Sequence, residues 1–137
     1  MAIAKWATPS ARSSNIASTN LNSLANAGES TAVTYDNSTN KDLYGVITIK
    51  LGSITPTSGG SITVRVTLND GTDTADKVGG DQYVIPLTSG ASAKIAVVNM
   101  IRLYPYSMRL SVINNAGVAF AATGNELYVR PWNEDIV

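Results

Sequence analysis

The run Ser61-Ile62-Thr63-Val64-Arg65-Val66-Thr67-Leu68-Asn69 alternates without a break. Ile62, Val64, Val66 and Leu68 fall on one side. Ser61, Thr63, Arg65, Thr67 and Asn69 fall on the other. Successive side chains of a β-strand point to opposite faces, so this is a strand with one face in a core. Each aliphatic side chain buried there contributes about 1.5–3 kcal/mol.

Working outward, the same period recurs. Leu43, Ile47, Ile49 and Leu51 share a face opposite Tyr44, Val46, Thr48 and Lys50. Tyr83, Ile85 and Leu87 alternate, as do Ile95, Val97, Ile101 and Leu103. Asn99 falls on the inward side of that last run, which marks a bulge or a strand end. Tyr106, Met108, Leu110 and Val112 alternate cleanly. Val118 and Phe120 read as a short strand, Leu127 and Val129 as the last one, and Ala32 to Tyr35 as a weaker one. Between them stand Ser58-Gly59-Gly60, Asp70-Gly71, Gly79-Gly80, Ser89-Gly90, Asn114-Asn115-Ala116-Gly117 and Gly124-Asn125. Gly, Asn and Asp tolerate the positive φ of tight turns. The pattern predicts an all-β fold: an antiparallel β-sandwich of about eight strands. A jelly roll fits the spacing, and an immunoglobulin-like sandwich is the alternative.

Residues 1–29 differ from residues 30–137. They are rich in Ala, Ser, Asn and Thr, with Trp6, Ile16, Leu21 and Leu24 as bulky anchors. The division predicts an N-terminal extended arm over 1–29 and the sandwich domain over 30–137. The arm is expected to order on a neighbouring surface. A disordered tail, or a short helix over 18–27 ending at Gly28, are the alternatives.

Composition excludes several functions. Ten basic and ten acidic residues leave no net charge, so no basic field draws in nucleic acid. Only 15% of the 137 residues are charged, below the roughly 25% usual for soluble domains, and such a surface is cheap to desolvate against a partner. With no Cys and no His, thiolate metal sites, Cys nucleophiles and imidazole bases are absent. No run is long enough for a membrane helix, and residues 1–28 hold no secretory apolar core, so synthesis in a cytoplasm is expected.

The ten acids lie mostly in turns, and none sits in an apolar frame that would tune it for acid catalysis. Asp70, Asp73 and Asp76 recur at three-residue steps, but the spacing does not fit an EF-hand. The expectation is therefore no catalytic residue, no metal and no cofactor. Trp6, Tyr104, Tyr106 and Trp132 are the candidate interface residues, because aromatic rings are enriched at binding hot spots and also serve as sugar platforms.

Residues 106–135, with the Asn114-Asn115-Ala116-Gly117-Val118 turn and Gly124-Asn125 followed by Val129-Arg130-Pro131, resemble the ending of small tailed-bacteriophage virion proteins. Gly52-Ser53-Ile54-Thr55-Pro56 to Leu68, and Tyr83-Val84-Ile85-Pro86-Leu87, are similar in kind. The likeness fits capsid cement, or decoration, proteins, some of which are jelly rolls and occur as oligomers. It implies a non-enzymatic protein on the capsid exterior of a virion, made in the host cytoplasm. Its partners would be the major capsid protein and further copies of itself, with no nucleic acid and no membrane. Rival readings are a carbohydrate-binding module on a virion appendage and a tail tube or completion subunit.

Overall fold

A computed structural model describes residues 2–17, 19–69, 72 and 80–136. Among these, nine strands form: β1 (Ala4–Trp6), β2 (Val33–Asp36), β3 (Tyr44–Ile54), β4 (Ser61–Leu68), β5 (Asp81–Pro86), β6 (Ser92–Arg102), β7 (Ser107–Asn115), β8 (Glu126–Trp132) and β9 (Glu134–Ile136). One sheet has the order β2-β7-β4-β5, a second β6-β3-β8, and β1 and β9 pair as a separate ribbon. Every pairing of named strands is antiparallel. The alternating run at 61–69 becomes β4, held between β5 and β7.

The two sheets face each other across an aliphatic core. Ile47, Ile49, Leu51, Leu127 and Val129 come from one sheet, and Ile62, Val64, Leu110 and Val112 from the other. All are nearly inaccessible to solvent. Leu68 packs against the edge of this core and is half-buried.

Strand β6 departs from expectation. Ile95 and Val97 are exposed, while Lys94, Ala96 and Val98 face inward. Further along, Ile101 and Leu103 are buried as expected. The pairing to β3 shifts register between Val98 and Ile101, so Asn99 and Met100 together oppose Val46 alone. An extra residue reverses which side chains face the core, so the inward set changes from even to odd positions. Asn99 marks the bulge, but the face before it is the opposite of the one expected. The buried Lys94 ammonium donates to the Gly90 carbonyl and Ser92 Oγ, both at 2.8 Å, which ties down the preceding turn.

Two other expectations need correction. Leu43 lies outside β3 and is partly exposed. Val118 to Phe120 is loop, although Phe120 is buried and its N–H donates to the Leu24 carbonyl at 3.0 Å. The Asp70-Gly71 turn, Gly79, Asp73 and Asp76 fall outside the described residues.

Residues 7–17 and 19–29 lie on the sandwich of their own chain. The N–H groups of Ala7, Ser10, Ser13 and Ile16 donate to the carbonyls of Asn133, Pro131, Val129 and Leu127 at 2.8–3.0 Å. Three residues here cover the length of two residues of β8. A strand rises about 3.3 Å per residue, so the segment puckers outward between contacts and is not extended. Turns, not a helix, follow at 19–23, and Ala17 and Leu21 enter the core. Burial of these two anchors fixes the segment to its own sandwich.

Candidate functional site

Where β8 leaves the sandwich, three aromatic rings meet. Tyr44 opens β3 and is the register partner of Trp132 at the end of β8. Their rings stack at 6.1 Å between centroids, with 28° between planes. Trp6 is brought in by the ribbon, whose register sets Trp6 against Glu134, Lys5 against Asp135 and Ala4 against Ile136. Trp6 meets Trp132 edge-on at 6.1 Å and 76°, and Tyr44 at 5.8 Å and 81°. Edge-to-face aromatic pairs of this kind contribute about 0.5–1.5 kcal/mol beyond burial.

Asn133 fixes the geometry. Its Oδ1 accepts the Leu43 N–H at 2.8 Å, its Nδ2 donates to Asp42 Oδ1 at 2.9 Å, and its carbonyl accepts the Ala7 N–H. One side chain thus joins the start of β3 to the ribbon. Behind it, Asn37 donates to the carbonyls of Asp42 and Tyr104 and so holds the loop before β3.

Two of the rings, Trp6 and Trp132, border an open recess of about 400 Å³ lined also by Ala7, Pro9, Val46 and Arg130. Its walls are carbon apart from Arg130. Lys5 and Glu134 stand beside a smaller recess of about 220 Å³ on the ribbon. Further along the same sheet face, Arg12 lies 3.7 Å over the Tyr128 ring, and the Tyr128 hydroxyl donates to Glu126 at 2.6 Å. That hydrogen bond, with some burial, raises the Tyr128 pKa.

Of the four expected interface residues, the structure brings Trp6 and Trp132 together. Tyr104 and Tyr106 are exposed on the turn between β6 and β7 and line neither recess. Tyr44, Val46 and Pro9 are the members the sequence reading omits. Tyr44 and Val46 carry a signal, since both alternate outward from the buried face of β3. Pro9 carries none.

Among the described residues no group of three or more His, Cys, Asp or Glu could hold a metal ion. Ser38 and Lys41 have the spacing of a serine–lysine pair, but both are exposed, at and beside a turn.

No protein-family model matches the chain, and no curated protein matches its sequence. Solved structures resemble it in fold. A CBM35 module of Abf62 from Cellvibrio japonicus matches with a TM-score of 0.52 at 13% identity, over 82% of this chain and 72% of that one. A family GH115 4-O-methyl-α-glucuronidase, BtGH115A, matches with a TM-score of 0.52 at 11% identity. That match covers 89% of this chain and 16% of the glucuronidase. The fold is therefore an antiparallel β-sandwich of the jelly-roll kind.

Proposed function

We propose that this domain is a non-enzymatic structural protein of a tailed-phage virion that docks on the outer capsid face and cements neighbouring capsid subunits. The observation that carries the docking reading is the recess at Trp6 and Trp132. An exposed and a half-buried tryptophan beside a carbon-lined hollow suit an apolar side chain of a protein partner, the pattern of an interface hot spot. The capsid as partner rests on the sequence resemblance over residues 43–135. Such a domain stabilises a shell by mass action, because it binds the assembled form and not the separate subunits.

The test is co-sedimentation with mature capsids stripped of the protein. Saturable binding at a fixed ratio to the capsid subunit, with shells that then resist heat, is the expected result. Absence of binding would sink the reading.

A second reading is carbohydrate binding, favoured by the fold shared with a CBM35 module. Two features of the recess weigh against it. Trp6 stands edge-on to its neighbours, so the three rings do not form one flat platform. The lining also supplies few polar groups to meet sugar hydroxyls. Quenching of Trp fluorescence by a glycan, in a titration of the isolated protein, would favour this reading over the first.

A further inference from the structure

Sheet edges expose rows of unpaired N–H and C=O groups, and folds guard them. The described edges of this sandwich are guarded in different ways. Residues 7–16 cover β8. β6 carries the inward Lys94 and the Asn99–Met100 bulge. β5 ends in Pro86, which has no N–H, and β2 is only four residues long. The ribbon has no covering segment, no bulge and no proline; its strands are three residues long, and its charges are Lys5 on one edge and Glu134 and Asp135 on the other. All six of its residues are exposed, with Trp6 at 60% and Ile136 at 77%. A ribbon of two strands is marginal in water, and added strands stabilise it.

The charges on its two edges are opposite. β1 carries Lys5, and β9 carries Glu134 and Asp135. Pairing β9 with β9 of another copy sets acids against acids. Pairing β1 with β1 sets lysine beside lysine. Only β9 against β1 joins unlike charges, and like charges opposed across strands are destabilising.

We infer that the ribbon binds a second copy of this chain head to tail, with β9 of one copy antiparallel to β1 of the next. The backbone is disposed for it. Ala7 donates to the Asn133 carbonyl at 2.8 Å, and bonded and non-bonded pairs alternate along an antiparallel ladder. Lys5 and Asp135 therefore spend their backbone groups within the ribbon. Ala4 and Trp6 on one edge, and Glu134 and Ile136 on the other, turn theirs outward. Docked in the same register, these outward groups bond between copies. Lys5 then faces Asp135 of the next copy in a non-bonded pair, where Cα atoms are closest, about 4.5 Å apart. A head-to-tail contact of this kind repeats, so it builds a ring or a chain of three or more copies.

Sedimentation of the full chain at low salt tests this, and it goes beyond the docking reading because no capsid is needed. Wild type is expected to form species of three or more copies. Lys5→Asp and Asp135→Lys should each be monomeric with unchanged circular dichroism. An equimolar mixture of the two should assemble again, since each supplies the edge the other lacks. Both variants carry like charges within their own ribbon, so recovery on mixing can only come from contacts between copies. A monomeric wild type, an assembly indifferent to both changes, or a mixture that stays monomeric would each overturn the inference. A monomer that still binds stripped shells would overturn self-association while leaving the docking reading intact.

Discussion

Ser13 and Val129 hold each other by two hydrogen bonds. The Ser13 N–H donates to the Val129 carbonyl at 2.8 Å, and the Val129 N–H donates to Ser13 Oγ at 3.0 Å. A serine side chain here takes the place of a neighbouring strand's carbonyl. Two residues on, Asn15 Oδ1 accepts the Leu127 N–H at 3.0 Å. Ser13→Ala should leave the Val129 amide without its acceptor, at a cost of about 1–2 kcal/mol. Denaturant unfolding, with the slope unchanged and the midpoint lowered, is the measurement. Asn15→Ala should behave alike.

Trp6→Ala and Trp132→Ala should both weaken shell binding, yet differ in the isolated domain. Trp6 is mostly exposed, so its removal forfeits its two edge-on ring contacts but little burial, and should lower the melting temperature less than removal of Trp132. Trp132 is half-buried and stacks on Tyr44, and its loss should cost about 1 kcal/mol of stability. Unaltered shell binding in both variants would remove the recess from the docking surface.

Val64→Asp should prevent folding, because Val64 sits at the fully buried centre of β4 and an unpaired carboxylate there cannot be solvated. Leu68→Asp, at the half-buried end of the same strand, should fold with a lowered melting temperature. Soluble expression and thermal melting separate the two.

Gly117→Ala should destabilise by about 2–3 kcal/mol, within the range of a substitution that strains the backbone and meets a close neighbour. Gly117 has φ of 82°, and a Cβ there would collide with the Thr57 side chain. Gly59→Ala, at φ of 75° but in open space, serves as the comparison and should cost less.

Stability should be level between pH 6 and 8, since the chain has no His and no Cys to titrate there. It should fall above about pH 10. Burial first, then the nearby Asp42 and Asp36 carboxylates, raises the Tyr35 pKa above its ordinary 10.0. A raised folded-state value favours the neutral phenol. Its contribution is complete below the ordinary value and is lost as pH rises through the raised one. Thermal melts across alkaline pH should show a shallower decline for Tyr35→Phe.

Much of the fold is legible in the sequence for a plain reason. β4 and β7 each turn alternate aliphatic side chains into the core, so alternation reports the core face, although Thr63, Thr67 and Ser111 on the other face are buried too. β6 misleads because its outward Ile95 and Val97 are as apolar as its inward partners, and a buried Lys94 breaks the expected code. The arm is harder still. Its bonds to β8 come from the backbone N–H groups of Ser10, Ser13 and Ile16 at a three-residue step, helped by the Ser13 and Asn15 side chains, a spacing that no strand or helix period detects. Trp6 and Trp132 stand out by residue type alone, but the meeting of the two depends on the ribbon, whose strands are three residues long and polar.

The pairing of Ser13 with Val129 spans 116 positions of chain. Synthesis runs from the N-terminus, so this segment leaves the ribosome long before β8 exists to receive it. Contacts of such separation also slow folding, because the intervening chain must be ordered first. The Trp6–Trp132 recess consequently forms only on a chain translated through β9. Nascent and prematurely terminated chains lack the surface, and so, on the docking reading proposed above, do not compete with finished molecules for the partner.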